Sequence, residues 1–352
     1  MGRRNVHAAG NLIGESVAFL CEHSENNHFQ KKGRDMRPEV SIIICTYESD
    51  LRMTLRTIYS AIRQKGVSFE IVITDDGSSI DYTDQYREFF QKNNFDRYKI
   101  IKHGQNAGTV KNIHDGVVKS EGEYVYAIAP GDFFYNADSL RKILEFARQT
   151  NSSFVFGNSR YYGVVGRKLH FYPATSPAFP KLFNKGKKTS SLCFISFFVS
   201  NNPIGPSYLR ERDEFERLLD VIDGEITYVE DKPTSAMHML NGNVMRYMDS
   251  PIVWYEYGTG ISTSKQGGFH QRMLEDEKKM DELLIKLYPD SRVIQAKHNK
   301  SLFGRLRYPD VNIAGAAILV LSRIISRFRY VEISDRNEFK IIWRMGKNVP
   351  NR

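Results

Sequence analysis

Between residues 40 and 156 short apolar runs alternate with helical periodicity, and that alternation constrains most of what this chain can fold into. The runs are Val40–Thr46 (VSIIICT), Phe69–Thr74 (FEIVIT), Tyr98–Lys102 (YKIIK) and Glu123–Ala129 (EYVYAIA). The first, second and fourth are continuous and rich in β-branched or aromatic residues, the pattern of strands covered on both faces. Leu51, Leu55, Ile58 and Ile62 recur at helical spacing within 51–65, and 81–93 reads as helical. Asn106-Ala107-Gly108-Thr109 opens a helix to about Ser120, and Leu140, Ile143, Leu144 and Ala147 mark another over 137–149. This order predicts an α/β fold with a Rossmann-like, mostly parallel sheet and helices on both faces. Beyond Phe156 the regularity breaks. Residues 158–206 read as a long functional loop with Lys181, Lys185, Lys187 and Lys188, and then 208–221 as a helix, 225–229 as a strand, 234–241 as a helix and 244–257 as extended.

Ligands of an open α/β sheet bind at the carboxyl ends of its strands. Three runs deliver polar side chains there. Thr46, Tyr47 and Glu48 close the first, Asp75-Asp76-Gly77-Ser78-Ser79 follows the second, and Asp132 lies just beyond the fourth. Each has a plainer reading. Asp75-Asp76-Gly77 also makes an ordinary turn, Asp132 a helix cap near Asn136, and Glu230-Asp231 an acidic helix start. Lys111 also reads as a solvated helix residue, and Trp254, Tyr255 and Tyr257 as core packing rather than a stacking surface for sugar.

In order, VSIIICTYESD, EIVITDDGSS, NAGTVKN, SEGEYVYAIAPGD and YVEDKP resemble glycosyltransferase family 2, over about residues 38–265. The resemblance implies a GT-A fold and an inverting, hexosyltransferase-type enzyme that moves a sugar from a nucleotide-sugar to an acceptor hydroxyl. It implies that Thr46, Tyr47 and Glu48 hold the nucleotide, with Asp75 on the uracil of a UDP-sugar and Asp76 beside it. Lys111 and Asp132 complete the donor-binding set, and Asp231 is the catalytic base. The family's Asp-x-Asp is reduced here. Ala129, Pro130 and Gly131 precede Asp132, so a single carboxylate would hold Mg²⁺ or Mn²⁺ with diphosphate oxygens and water. That loss also leaves open a catalytically inactive nucleotide-sugar-binding or scaffold protein.

The chemistry needs these residue types. An acceptor hydroxyl attacking the anomeric carbon must lose its proton to a carboxylate within hydrogen-bond reach. The departing diphosphate gains charge, which a metal, Lys111 or the 181–188 lysines would offset.

Charge divides the chain. Residues 291–352 hold 13 Lys and Arg against 4 Asp and Glu, so the whole +9 of the protein sits in its last sixth. Within it Ala314, Ile318, Leu321, Ile325 and Phe328 form one helical stripe, with Arg323 and Arg327 elsewhere on the turn and Arg305, Arg307 and Arg329 flanking. Such a helix either docks on the domain or lies in the headgroups of an anionic leaflet, and the concentrated charge favours the leaflet. No nucleic-acid-binding motif accompanies these basic residues. No apolar run reaches the ~20 residues that span a bilayer, and Val17–Cys21 is too short for a signal-peptide core. Cys21, Cys45 and Cys193 form no paired framework, which fits a reducing cytoplasm. The expected organisation is a poorly ordered extension over 1–37, a GT-A domain over 38–270 and a helical, basic, membrane-proximal segment over 271–352. The expected setting is the cytoplasmic face of the cell membrane, with a saccharide or lipid-linked saccharide acceptor and a role in surface polysaccharide synthesis.

Overall fold

A computed structural model describes residues 37–345 except 167, 174–176, 185–190, 200–201, 259–268, 300, 302–305 and 328–335. The expected N-terminal extension therefore lies outside the described residues, apart from Arg37.

The four runs are strands β1 (Val40–Thr46), β2 (Phe69–Asp75), β3 (Tyr98–Lys102) and β4 (Tyr124–Ile128). They lie in the order β3-β2-β1-β4, all parallel. The helices between them are α1 (Leu51–Ile62), α2 (Thr83–Lys92) and α3 (Thr109–Lys119), and α4 (Ser139–Thr150) follows β5 (Phe133–Phe134). Asp50 caps α1, its side chain accepting from the Met53 amide. Ile42, Ile44, Ile71 and Ile73 pack against α1 and α4, whereas Ile43 and Val72 face Ile113 and Val117 of α3 on the other side. The unbroken apolar runs are thus explained by burial on both faces.

The later chain corrects several sequence expectations. Residues 158–206 are not one loop. β6 (Phe154–Val165) runs through their start, pairs with β7 (Lys168–Tyr172), and α5 (Ser191–Val199) follows. The helix expected over 208–221 starts later, as α6 (Arg212–Ile222), joined without a turn to a strand, β8 (Tyr208–Glu211). Glu211 ends the strand and caps the helix, accepting from the Glu214 amide. The strand expected over 225–229 is a loop with one bridge, Asp223 to Ile226. The helix expected from 234 begins earlier, as α7 (Asp231–Leu240), and β9 (Arg246–Glu256) follows.

β8 is antiparallel to both β4 and β6, and β9 is parallel to β6. β4, β6 and β9 therefore point the same way, and their carboxyl ends share one edge with those of β1 and β2.

The tail is helical, with α8 (Phe269–Leu287), α9 (Arg292–His298), α10 (Pro309–Arg327) and α11 (Asn337–Met345). It contributes to the core. Phe339 and Ile342 join Phe133, Tyr162 and Trp254 in one cluster, and Arg63 pairs with Glu338 at 2.9 Å. No helix among the described residues is long and apolar enough to cross a membrane.

Candidate active site

The loops after β1 and β2 are laced together. Thr46 Oγ1 donates to Asp75 Oδ1 at 2.9 Å, and the Ser78 amide donates to Asp75 Oδ2 at 3.1 Å. Glu48 accepts from the Ser79 amide and hydroxyl, at 2.8 and 2.9 Å. Thr46, Asp75 and Ser78 line a shallow, solvent-open cleft, with Ile80, Tyr82 and Ile100 on its apolar wall. Tyr47, next to Thr46 in the chain, is 46% exposed.

Asp76 turns the other way. It is buried, and its two oxygens accept from the amides of Ala107 and Gly108 at 2.8 and 2.9 Å. An anion there favours the start of α3. Gly108 has φ +99°, and a side chain on it would run into Thr227, whose carbonyl accepts from Val110. The Thr227–Val229 loop is held in turn by Asp276 of α8, which accepts from the amides of Thr227, Tyr228 and Val229. A continuous set of contacts thus runs from Asp76 to the residues that carry Glu230 and Asp231.

Glu230 and Asp231 form the start of α7, as an acidic helix start would. Burial and the adjacent Asp231 charge push the Glu230 carboxyl up to about 7. Burial also raises Asp231, opposed by the Arg210 guanidinium. Arg210 is itself buried, 4.1 Å above the ring of Phe215 and 4.9 Å from that of Phe154. Its Nε and Nη2 have no hydrogen-bond partner among the described residues, so its charge acts on the acids through low-dielectric space. Two adjacent carboxylates raised by burial are able to take up a proton from a bound hydroxyl.

Asp132 lies at the same edge. It is buried, and its Oδ1 accepts from the Glu256 amide at 2.8 Å. Burial pushes its carboxyl well above the usual range and the Glu256 charge adds to this, while the amide opposes both. Gly131 adopts φ +99°, and a Cβ there would run into Glu256 Oε2. The Glu256 carboxylate thus occupies space beside the loop where the sequence has no side chain. Asp132 caps no helix. It also connects toward α7. Its neighbour Tyr126 donates to the Pro206 carbonyl, and a Cβ on Gly205 would lie 3.4 Å from Glu230 Oε1 and 3.9 Å from Asp231 Oδ2.

Lys111 stands apart from these acids. It binds Asp115 at 2.6 Å and lies 3.9 Å from Asp223, so those carboxylates hold its charge. Lys181 is exposed, 4.0 Å from Asp249, and Lys185, Lys187 and Lys188 lie outside the described residues. Sequence reasoning missed Arg210, Asp276 and Glu256. Glu256 had a signal, as a lone acid inside the aromatic run VWYEY.

A glycosyl transferase family 2 model matches residues 41–203, the stretch that carries the loops after β1 and β2 and Asp132. The likeness is thus to a glycosyltransferase family 2 domain, over just under half of the chain. The chain is 36% identical over 135 residues to the dolichyl-phosphate beta-glucosyltransferase of Saccharomyces cerevisiae, covering 36% of this chain and 37% of that protein. It is 29% identical over 136 residues to an uncharacterized glycosyltransferase of Rickettsia bellii, covering 39% of this chain and 18% of that one. The chain thus spans well under half the length of these curated relatives. The mannosyltransferase PcManGT from Pyrobaculum calidifontis, solved with GDP-Man and Mn²⁺, superposes with a TM-score of 0.50 at 14% identity, over 93% of this chain and 91% of that one. The fold of the matched stretch and its surroundings is thereby GT-A.

Proposed function

We propose that this protein is an inverting glycosyltransferase that moves a sugar from a nucleotide-sugar to an acceptor hydroxyl, with residues 38–270 as the transferase domain. The observation that carries the proposal is the Glu230–Asp231 pair, raised by burial and set at the carboxyl edge that also bears the Asp75 cleft. Asp231 takes the acceptor proton as its oxygen attacks the anomeric carbon, while Glu230 keeps its own proton until about pH 7. The donor base lies in the Thr46–Asp75 cleft. A uracil suits it, offering a ring face to Tyr82 and Ile100 and polar edges to Asp75, which makes a UDP-sugar the proposed donor. Tyr47 and Glu48, which follow Thr46 in the chain, bind the nucleotide beside that cleft, and Asp76 sets the loop that faces the diphosphate. Lys111, held by Asp115, is given no role in the chemistry.

Asp132 and Glu256 fit a hard divalent cation only as a pair. Both are oxygen donors forced close together, and a cation would relieve their mutual repulsion. No cluster of three or more metal-ligating side chains exists among the described residues, so diphosphate oxygens and water would complete Mg²⁺ or Mn²⁺. Such an ion would offset charge on the departing diphosphate. The pair also weakens the reading of an inactive scaffold, since Glu256 supplies a carboxylate where Gly131 has none. The test is release of nucleoside diphosphate from a panel of UDP- and GDP-sugars. Turnover with at least one UDP-sugar is expected, and binding without turnover across the panel would favour the scaffold.

We further propose that the acceptor is a lipid-linked saccharide reached at an anionic membrane surface, in surface polysaccharide synthesis. The support lies on α10. Its Gly315 and Ile318 face inward, Gly315 against Val199 and Ile195 of α5. Of the stripe expected from the sequence, Ile318 is buried, Leu321 is exposed, and Phe328 lies outside the described residues. A different row faces solvent at helical spacing, with Ile313 69%, Val320 56% and Ile324 47% exposed. Apolar rows on both sides, within the segment that carries the net +9, suit a helix docked inward and dipped into headgroups outward. Wild-type protein is expected to float with phosphatidylglycerol-containing vesicles. The triple variant Ile313→Asp, Val320→Asp, Ile324→Asp should stay at the bottom with unchanged thermal unfolding; flotation of the variant would remove the membrane from the proposal.

A further inference from the structure

Four tyrosines gather at the carboxyl ends of β6, β7 and β9. Tyr161 and Tyr255 are register partners whose ring centroids lie 5.2 Å apart, and both are buried. Tyr172 is the register partner of Tyr161 on β7, and its ring centroid lies 5.4 Å from that of Tyr257. Tyr257 is 49% exposed. The group is thus a two-ring floor bearing the exposed Tyr257 and the partly buried Tyr172. Gly163 makes room for it, since a Cβ there would lie 3.1 Å from Tyr172 Cε2 and 2.8 Å from the Tyr257 carbonyl.

The topology decides what this surface faces. Val125 of β4 pairs with Arg210, and Arg210 pairs with Phe154 of β6. β4 ends three residues later, whereas β6 continues to Val165, so Tyr161 stands about 13 Å beyond the last level residue. Phe133 pairs with Trp254 and Trp254 with Arg160, so Asp132 stands at the level of Tyr161 and Tyr255, beyond the end of β4. The Glu256 amide, one residue before Tyr257, bonds Asp132 directly. The nucleobase cleft lies beside β2 and β3, at the opposite end of the strand order. Side-chain alternation separates the tyrosines from the core, with Tyr162 and Trp254 in the cluster around Phe339 and Tyr161 and Tyr255 on the other face.

We propose that this tyrosine platform is the acceptor subsite, and that it holds a pyranose ring by stacking the sugar's C–H face on Tyr257 and Tyr172. The proposal rests on the glycosyltransferase reading and names the part of the site that reading leaves blank. Aromatic rings suit this work, being amphipathic and rigid, with a hydroxyl free to meet the sugar's rim. Placed across the edge from the nucleobase cleft, the platform leaves the anomeric carbon between donor and acceptor.

Saturation-transfer NMR tests it, using methyl β-glucoside, methyl β-galactoside and methyl α-mannoside as probes on protein preloaded with UDP. Saturation of ring protons is expected for at least one glycoside. Tyr257→Ala combined with Tyr172→Ala should weaken that signal about tenfold or more, whereas Tyr257→Phe, which keeps the stacking face, should retain it. UDP signals should be the same in every variant, which shows that the fold and donor site survive. Equal glycoside saturation in wild type and the double alanine variant overturns the platform, and so does absence of glycoside saturation with UDP bound. Loss of the UDP signal in the wild type itself would instead count against the glycosyltransferase reading.

Discussion

Asp231→Asn is expected to lower glycosyl transfer about 10²–10⁴-fold while leaving donor binding in place, because the amide cannot accept the acceptor's proton. Its pH behaviour follows from its surroundings. Burial raises the Asp231 carboxyl, so kcat/KM should fall as pH drops through a value above the ordinary carboxylate range. The Arg210 guanidinium opposes that rise. Arg210→Met, of similar volume, should therefore move the acid limb to higher pH, and Arg210→Lys should move it less. The same groups shape stability. Native Glu230 holds a proton up to about 7, whereas the unfolded carboxyl releases it near 4.5. Stability from this group is thus fully present below the unfolded value and is lost as pH rises through about 7. A pH–rate series on the wild type and the three variants checks all of this. An Asp231→Asn enzyme that kept wild-type turnover would transfer the role of base elsewhere.

The strands were legible because burial on both faces leaves a mark in the chain itself, as in VSIIICT and FEIVIT. The candidate site was legible where it follows such a strand, as Asp75 and Asp132 do, or where a motif marks it, as for Glu230-Asp231. Asp276 was not, because its purpose is to accept three amides from a loop 47 to 49 residues away, and nothing local to α8 marks that task. Arg210 was hidden for a related reason. In YLRE, joined directly to a helix, a buried guanidinium looks like an exposed one until Phe154, Tyr208 and Phe215 are seen around it. The tail misled in the opposite way. α10 has apolar rows on both sides, so one stripe could not reveal which row faces the protein.

Phe339→Ala should cost about 3–5 kcal/mol of stability. Phe339 is 2% exposed, and its ring centroid lies 4.8 Å from that of Trp254 and 5.2 Å from those of Phe133, Tyr162 and Phe171. Removing it empties the centre of that cluster, and the neighbours cannot all close in. The consequence reaches the site, because Phe133 follows Asp132 directly and Tyr162 donates to the Gly131 carbonyl. Urea unfolding should show a lower midpoint at unchanged slope, with turnover reduced below the unfolding range as well. Phe339→Leu should recover most of the stability, and exposed Lys340→Ala should stay within about 0.5 kcal/mol of wild type. A midpoint unmoved by Phe339→Ala would mean that α11 does not dock. Docking has a practical corollary for the membrane question. Deleting 291–352 removes Ile294, Ile318, Phe339 and Ile342 from buried positions, so lost flotation in that truncation would report a damaged core, and only substitutions on the outward row of α10 separate the two effects.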